Sequence, residues 1–429
     1  MSQDFKDTPY WWEAAPRPEL RETPVPVSCD VAIIGAGFAG LTAALILARA
    51  GRSVQVFDKD RPGEGASSRN GGIASGNIKM EFSAMVSAMG EATARAIYAE
   101  GVAAREDLAR FIEDESIDCG FKMTGRFTGA HRPRHYDRLA READFLNKHL
   151  ELGAEVVPKA EQHRELGSDL YHGGVVRPDI GGLHPGLFHQ GVLDRALEAG
   201  VTVHARTTVT AYDRETGGFK VSTSRGTIKA RDLLVCTNGY TGAATPWLQR
   251  RIVPVPSQII ATEPLPAETM ARLMPKGRML GETRHTYHYY RPSPDGTCII
   301  FGGRAGAGTD DPKEKFRHLH GGLVELFPEL KDVGITHSWW GYTGYTFDFL
   351  PKSVVDEDGV HYAAGFCGSG VVWARWFAKK SAYRIVGNAP EAESAFDGRP
   401  FQTRMLYDGK PWFLPWVIAW YGWKDKLGL

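Results

Sequence analysis

Four consecutive apolar residues, Val31–Ile34, run into glycines at 35, 37 and 40, and the helix-forming stretch Leu41–Arg49 follows. An uninterrupted apolar run bounded by turn residues reads as a strand buried on both faces. SVQVFDK, 53–59, is a second such strand, ending in the carboxylate Asp58, eighteen positions after Gly40. Together these predict a βαβ unit from Cys29 to Lys59. Ahead of it, residues 1–26 carry five prolines and read as an extended arm.

Beyond the unit, a small-residue loop, GEGASSRNGGIASG, spans 63–76. Apolar residues at helical spacing predict helices over 84–115, 134–152 and 185–199, the last closed by Gly200. Residues 201–239 alternate like successive strands, with turns at 216–218 and 224–226. A Val/Ile-rich strand punctuated by prolines covers 252–262, and 285–303 reads as a hairpin around Pro294-Asp295-Gly296. Residues 359–387 read as strand, glycine loop and helix. The first and last thirds are therefore α/β and the middle is strand-rich. This order predicts a discontinuous nucleotide-binding domain with a second, mostly antiparallel domain inserted into it.

The glycine spacing carries chemistry. Gly35 permits a tight turn, Gly37 lets the backbone approach a pyrophosphate, and Gly40 lets helix and strand pack closely. The helix N-terminus presents free N–H groups and a positive dipole end to the phosphates. Asp58 can accept from ribose hydroxyls, and an acid there rather than Arg favours NAD or FAD over NADP. The second glycine loop, Gly368–Ser369–Gly370 before Val371, aims another helix N-terminus at whatever lies above it.

The 429 residues are 42% hydrophobic, enough for two or three domains with a sizeable core. Lys plus Arg and Asp plus Glu number 51 each, so no net field favours nucleic acid. Five dispersed cysteines, none spaced as CxxC, suggest neither a disulfide framework nor a metal site; a reducing, cytoplasmic setting is expected. No apolar signal core opens the chain, and no uncharged apolar run is long enough to span a bilayer.

Four blocks in order resemble the D-amino-acid-oxidase-like FAD oxidoreductases, relatives of glycine and sarcosine oxidase, and especially the γ-glutamylputrescine oxidoreductase branch. They are VAIIGAGFAG at 31–40, GEGASSRNGG at 63–72, ARDLLVCTNGYTG with RIVPVPSQIIATEPL over 230–265, and DFLPKS…AAGFCGSGV over 348–371. The resemblance implies an α/β plus antiparallel-β protein. Its glutathione-reductase-like, Rossmann-type FAD domain would comprise 27–82, 185–245 and 350–390. The substrate domain would comprise 83–184 and 246–349, leaving an arm at 1–26 and an aromatic extension at 391–429.

It also implies FAD contacts at Gly35, Ala36, Gly37, Phe38, Ala39 and Gly40, and at Asp58 and Lys59. Further contacts fall at Gly65, Ala66, Ser67, Arg69, Asn70, Gly71 and Gly72, at Val209 and Gly239, and at Gly365, Gly368, Ser369, Gly370 and Val371. Some relatives attach FAD through a His at the position matching Asn70, or through a Cys late in the substrate domain. Neither is present, so FAD is expected to be non-covalent. The strand matching the relatives' oxygen-activating Lys, 297–303, has none. Oxygen and another electron acceptor both stay open.

The implied activity is oxidation of a primary or secondary amine, such as a polyamine derivative, a γ-glutamyl amine or an N-substituted amino acid. Hydride passes to flavin N5, and the imine hydrolyses to an aldehyde or keto product. Relatives grip an α-carboxylate with an Arg just before the last glycine loop, yet 339–351, WWGYTGYTFDFLP, contains none. Arg304, Arg284 or Arg291 is a possible replacement from another strand. Aromatic walls suit the reaction, and Tyr287, Trp340 and Tyr345 are the expected substrate neighbours, with Tyr287 and Tyr289 on one strand face and Tyr290 on the other. His184, before Pro185, reads as a helix start, and Trp373 and Trp376 as core.

The alternatives are a flavin dehydrogenase of a D-amino acid or hydroxy acid passing electrons to a quinone, and a flavin-binding protein without turnover. Tryptophans at 412, 416, 420 and 423 form a stripe. It is expected to dock on the chain's own surface or a second subunit rather than on a membrane.

Overall fold

The computed structural model describes residues 5–304 and 316–428. Two eight-stranded sheets organise it. The first has five parallel strands in the order His361–Ala364, Gly226–Val235, Ser28–Ile34, Val54–Phe57 and Thr202–His204. Lys352–Val355 adds antiparallel to one edge, and the antiparallel strands Val209–Glu215 and Gly218–Thr223 branch from Gly226–Val235.

The apolar run at 31–34 is explained by burial on both faces. Val31 and Ile33 join a core with the helices Phe38–Arg49, Pro185–Glu198 and Gly370–Val386. Ala32 and Ile34 face a separate core containing Phe219, Val221 and Ile228.

The predicted helix over 84–115 is two helices, Phe82–Met89 and Glu91–Asp114, separated at Gly90, whose φ of +83° ends the first. Apolar residues of both, including Phe82, Ile97 and Leu108, pack into the nucleotide-side core rather than with the second sheet.

The second sheet runs Ile335–Tyr345, Val253–Thr262, Ile299–Arg304, Tyr289–Pro292, Met279–Glu282, Arg126–Gly129, Gly174–Arg177 and Glu155–Val157. It is antiparallel except where Met279–Glu282 pairs in parallel with Arg126–Gly129. Strand alternation splits it. Phe127, Tyr290 and Phe301 pack against the helix Arg317–Leu326. Arg126, Tyr289 and Arg304 alternate to the other face and line the cavity described below.

The N-terminal arm is not free. Lys6 N–H donates to Thr336 O at 2.8 Å, and Trp11 is fully buried among Ile259, Ile300 and Trp339.

Candidate functional site: a dinucleotide cavity ending in an aromatic, cationic pocket

A cavity of about 760 Å³ runs between the two sheets and brings both glycine loops together. At the first loop, Gly35 has φ +106°, and a Cβ on Gly40 would stand 1.8 Å from Gly35 O. Any side chain at 40 would drive the helix off the strand. A Cβ on Gly37 would meet only Ser67 Oγ, at 2.8 Å, and that hydroxyl accepts from Phe38 N–H at 2.9 Å. Ser67 therefore crosses the turn where a phosphate is expected.

Asp58 accepts from the N–H groups of Ala36 (2.7 Å) and Asp60 (3.0 Å). Burial pushes its carboxyl up to about 6, against the pull of those two donors. Val209 opens its strand on the cavity wall near Asp58, and Lys59 lies 5.8 Å from the Tyr240 ring centre.

The turn has a support that sequence reasoning missed. Fully buried His189 donates from Nε2 to Ala36 O at 2.8 Å and accepts at Nδ1 from Arg17 at 3.0 Å. A carbonyl can only accept and a guanidinium can only donate, which fixes the neutral tautomer. Burial lowers the ring to about 3. His184 caps its helix, accepting from Leu187 N–H at 3.1 Å.

The loop from Gly65 to Gly72 is held by three indole N–H groups. Trp11 donates to Asn70 O (2.8 Å), Trp12 to Ser68 Oγ (2.8 Å) and Trp339 to Arg69 O (2.9 Å). Asn70 closes the loop internally, donating to Ala66 O and Ser67 O and accepting from Gly72 N–H at 2.8 Å. Arg69 donates to Glu64 O at 2.7 Å and to Trp340 O at 3.2 Å. The N-terminal aromatics gave no such signal in the sequence, because their partners lie more than 50 residues away.

The second loop is similarly defined. Gly368, Ser369, Gly370 and Val371 line the cavity at the start of the helix Gly370–Val386, whose N-cap Ser369 makes no side-chain cap bond. Gly365 and Gly239 lie behind the wall. Gly365 N–H donates to Asn238 Oδ1 at 2.9 Å, and a Cβ on Gly239 would stand 3.0 Å from Gly344 N. Ala36, Gly40 and Gly72 also shape the turns from behind and are not lining residues.

The lining thus offers a carboxylate at one end, a glycine turn with a helix N-terminus in the middle, and a second helix N-terminus beyond. Adenosine, pyrophosphate and flavin present complementary chemistry in that order, so the residues fit FAD.

Beyond Gly368 the pocket is aromatic and cationic. Tyr287 and Tyr289 line it with ring centres 6.3 Å apart, while Tyr290 is buried behind the sheet. Tyr345 Oη accepts from Arg304 at 3.0 Å. Lys79, unmarked in the sequence, donates to Tyr287 Oη at 2.8 Å and lies 3.6 Å from where a Gly368 Cβ would be. It brings an ammonium from the loop after Gly76, although 297–303 has no Lys. Burial would raise the Tyr287 phenol, but Lys79 and Arg304 outweigh it and hold it below the usual phenol range.

The lining departs from one expectation and narrows another. Trp340 is not a lining residue: it packs edge-on at 5.2 Å to Tyr342, which lines the cavity in its place. Of the three candidate replacement arginines only Arg304 lines the cavity. Arg291 donates to Gly72 O and Leu183 O, both at 2.9 Å, and Arg284 pairs with Glu282 and Glu325, both at 2.8 Å.

Among the described residues the tryptophan stripe does not dock on the chain's own surface. Trp412, Trp416, Trp420 and Trp423 are 61, 75, 52 and 48% exposed. The helix Leu414–Leu427 is instead fixed by Asp425, which accepts from His285 N–H (2.7 Å), Thr286 N–H (2.9 Å) and Thr286 Oγ1 (2.6 Å), with Tyr421 stacked on His285. No helix among the described residues is long and apolar enough to cross a membrane.

The chain is 30% identical to the probable oxidoreductase OrdL of Rhizobium meliloti (strain 1021), over 97% of each chain. It is 28% identical to γ-glutamylputrescine oxidoreductase of Escherichia coli (strain K12), over 97% of this chain and 96% of that one. A crystal structure of glycine oxidase from Geobacillus kaustophilus superposes with a TM-score of 0.73 at 20% identity, covering 89% of this chain and 99% of that one, which establishes the shared fold. The profile of the FAD dependent oxidoreductase family (DAO) matches residues 30–384, so the chain belongs to that family of enzymes and FAD is its cofactor.

Proposed function

We propose that this protein oxidises a primary or secondary amine to an imine at the Tyr287–Tyr345 end of the cavity. One observation carries the reading. The cavity that holds the dinucleotide turn continues past Gly370 into a pocket of three tyrosines with Lys79 and Arg304 among them. Bound FAD supplies the hydride acceptor. The names of the relatives, γ-glutamylputrescine oxidoreductase and glycine oxidase, support an amine as the donor.

The chain's own residues do the rest. Tyr289 and Tyr345 confine the substrate, orient its C–H bond and exclude water. The amine must reach the reaction neutral, since its lone pair drives hydride departure. Lys79 and Arg304 disfavour a further positive charge nearby and so lower the amine's proton affinity. Tyr287, held below the phenol range, accepts the proton that an entering ammonium releases. After hydride leaves, water adds to the imine carbon and the carbon–nitrogen bond breaks. The products are an aldehyde or keto compound and ammonia or a smaller amine.

We assign adenosine to Asp58 and Val209, the pyrophosphate to Gly35–Phe38 with Ser67, and the flavin to Gly368–Val371. A hydroxy acid is the second reading, favoured only by the cations, which suit any carboxylate.

The test is anaerobic mixing of the purified, yellow protein with polyamines, γ-glutamyl amines, N-methyl amino acids, D-amino acids and hydroxy acids. Bleaching by amines supports the reading. Bleaching by hydroxy acids alone, or by nothing, overturns it. Repeating the best reaction with oxygen distinguishes oxidase from dehydrogenase.

A further inference from the structure

Arg126 opens the strand Arg126–Gly129 on the cavity face of the second sheet. Its guanidinium lies across Gly281, where a Cβ would stand 2.2 Å from Nη2, so the glycine makes its room. It lines both the main cavity and a second of about 210 Å³, and Lys79 is the other residue the two share. The second chamber has an apolar side of Phe82, Met85, Ile97 and Leu146.

The remaining cations here have partners. Arg177 and Arg105 both pair with Asp179 at 2.7 Å, Lys79 donates to Tyr287, and Arg304 to Tyr345. The nearby carboxylates are engaged too. Glu142 accepts from the N–H groups of Phe82 and Ser83, Glu282 pairs with Arg284 and His288, and Glu81 lies 3.6 Å from Arg138. Among the described residues Arg126 has no hydrogen-bond or ion-pair partner, and its Nε is buried with nothing to accept from it. A guanidinium does not escape this by losing its proton at ordinary pH, and a buried donor with no acceptor is costly. Such a group is explained if its partner is brought in by a ligand, and its planar fork suits a carboxylate.

We propose that Arg126 binds a carboxylate on the part of the substrate remote from the reacting nitrogen, with the connecting chain directed towards the second chamber. The substrate class is then an amine with an acid-bearing tail. This rests on the amine reading above and adds the tail that the reading leaves open.

The experiment uses the FAD-loaded full chain and flavin difference spectra, with pentanoate and pentanamide as probes. Wild type should bind the acid about tenfold or more tightly than the amide, a typical value for a charge-assisted pair. Arg126→Gln should erase that difference and Arg126→Lys keep part of it. With substrates, Arg126→Gln should raise KM for 5-aminopentanoate about tenfold more than it raises KM for 5-aminopentanamide. Equal binding of acid and amide by wild type, or a preference that survives Arg126→Gln, overturns the proposal. If Arg126→Gln does not fold, the wild-type comparison and Arg126→Lys decide. The titration needs no turnover: acid preference without amine-driven bleaching overturns the amine reading alone, and bleaching without acid preference overturns this proposal alone.

Discussion

Lys79 and Tyr287, 208 positions apart in the chain, meet through a 2.8 Å hydrogen bond from the ammonium to the phenol. The contact lies at the end of the cavity where we propose that the substrate binds. Burial opposes charge on Tyr287, but Lys79, Arg304 and Arg126 together lower its pKa. A phenol lowered on folding adds stability above its unfolded value of about 10, and that stability is lost as pH falls through the folded value. Phenolate absorbance should therefore appear below pH 10, disappear in Tyr287→Phe, and move upward in Lys79→Met. An unchanged titration in Lys79→Met would remove Lys79 from this role.

Gly40 and Gly37 separate packing from ligand approach. A Gly40→Ala methyl would meet the Gly35 carbonyl at 1.8 Å, a backbone atom that has nowhere to go. That variant should lose about 3 kcal/mol or more of stability even without FAD. In Gly37→Ala the methyl meets only the Ser67 side chain, which can rotate. Apoprotein stability should change by less than about 1 kcal/mol while FAD affinity falls. Denaturant melts of both apoproteins, with FAD titrations, check the contrast.

Asp58 is expected to link cofactor affinity to pH. Its carboxyl is raised to about 6 by burial. A raised acid favours the folded apoprotein below the unfolded value, and that contribution is lost as pH rises through about 6. Ribose hydroxyls need the ionised form as acceptor, so FAD affinity should decline by up to about tenfold per pH unit below 6. Asp58→Asn should bind FAD weakly and without this slope. Equilibrium dialysis across pH measures it.

The C-terminal helix should tune substrate affinity without holding FAD. Asp425 ties it to the backbone of His285 and Thr286, immediately before Tyr287. Asp425→Ala should free that segment and raise KM for the reducing amine several-fold, with FAD content unchanged. Steady-state kinetics and the flavin-to-protein absorbance ratio check both halves.

The parts legible in the sequence were those whose signals are local. The strand at 31–34, the glycine spacing and the split of Tyr287 and Tyr289 from Tyr290 follow from neighbouring residues, and the structure has them as read. What escaped depends on distant partners. Lys79 sits in a loop with no motif and becomes notable only beside Tyr287 and Gly368. His189 reads as an ordinary helical position until Ala36 and Arg17 close on it. Trp340 was misplaced because an aromatic run does not say which of its rings reaches a cavity and which packs on a neighbouring ring, and the break at Gly90 because a long apolar periodicity spans it.

The most direct measurement is a crystal structure of the protein with FAD and a slow amine analogue. The account predicts adenosine against Asp58 and Val209, the pyrophosphate over Gly37, and the isoalloxazine between Gly370 and Tyr345, with the analogue's nitrogen facing Tyr287. FAD bound outside this cavity, or with its flavin at Asp58, would contradict it.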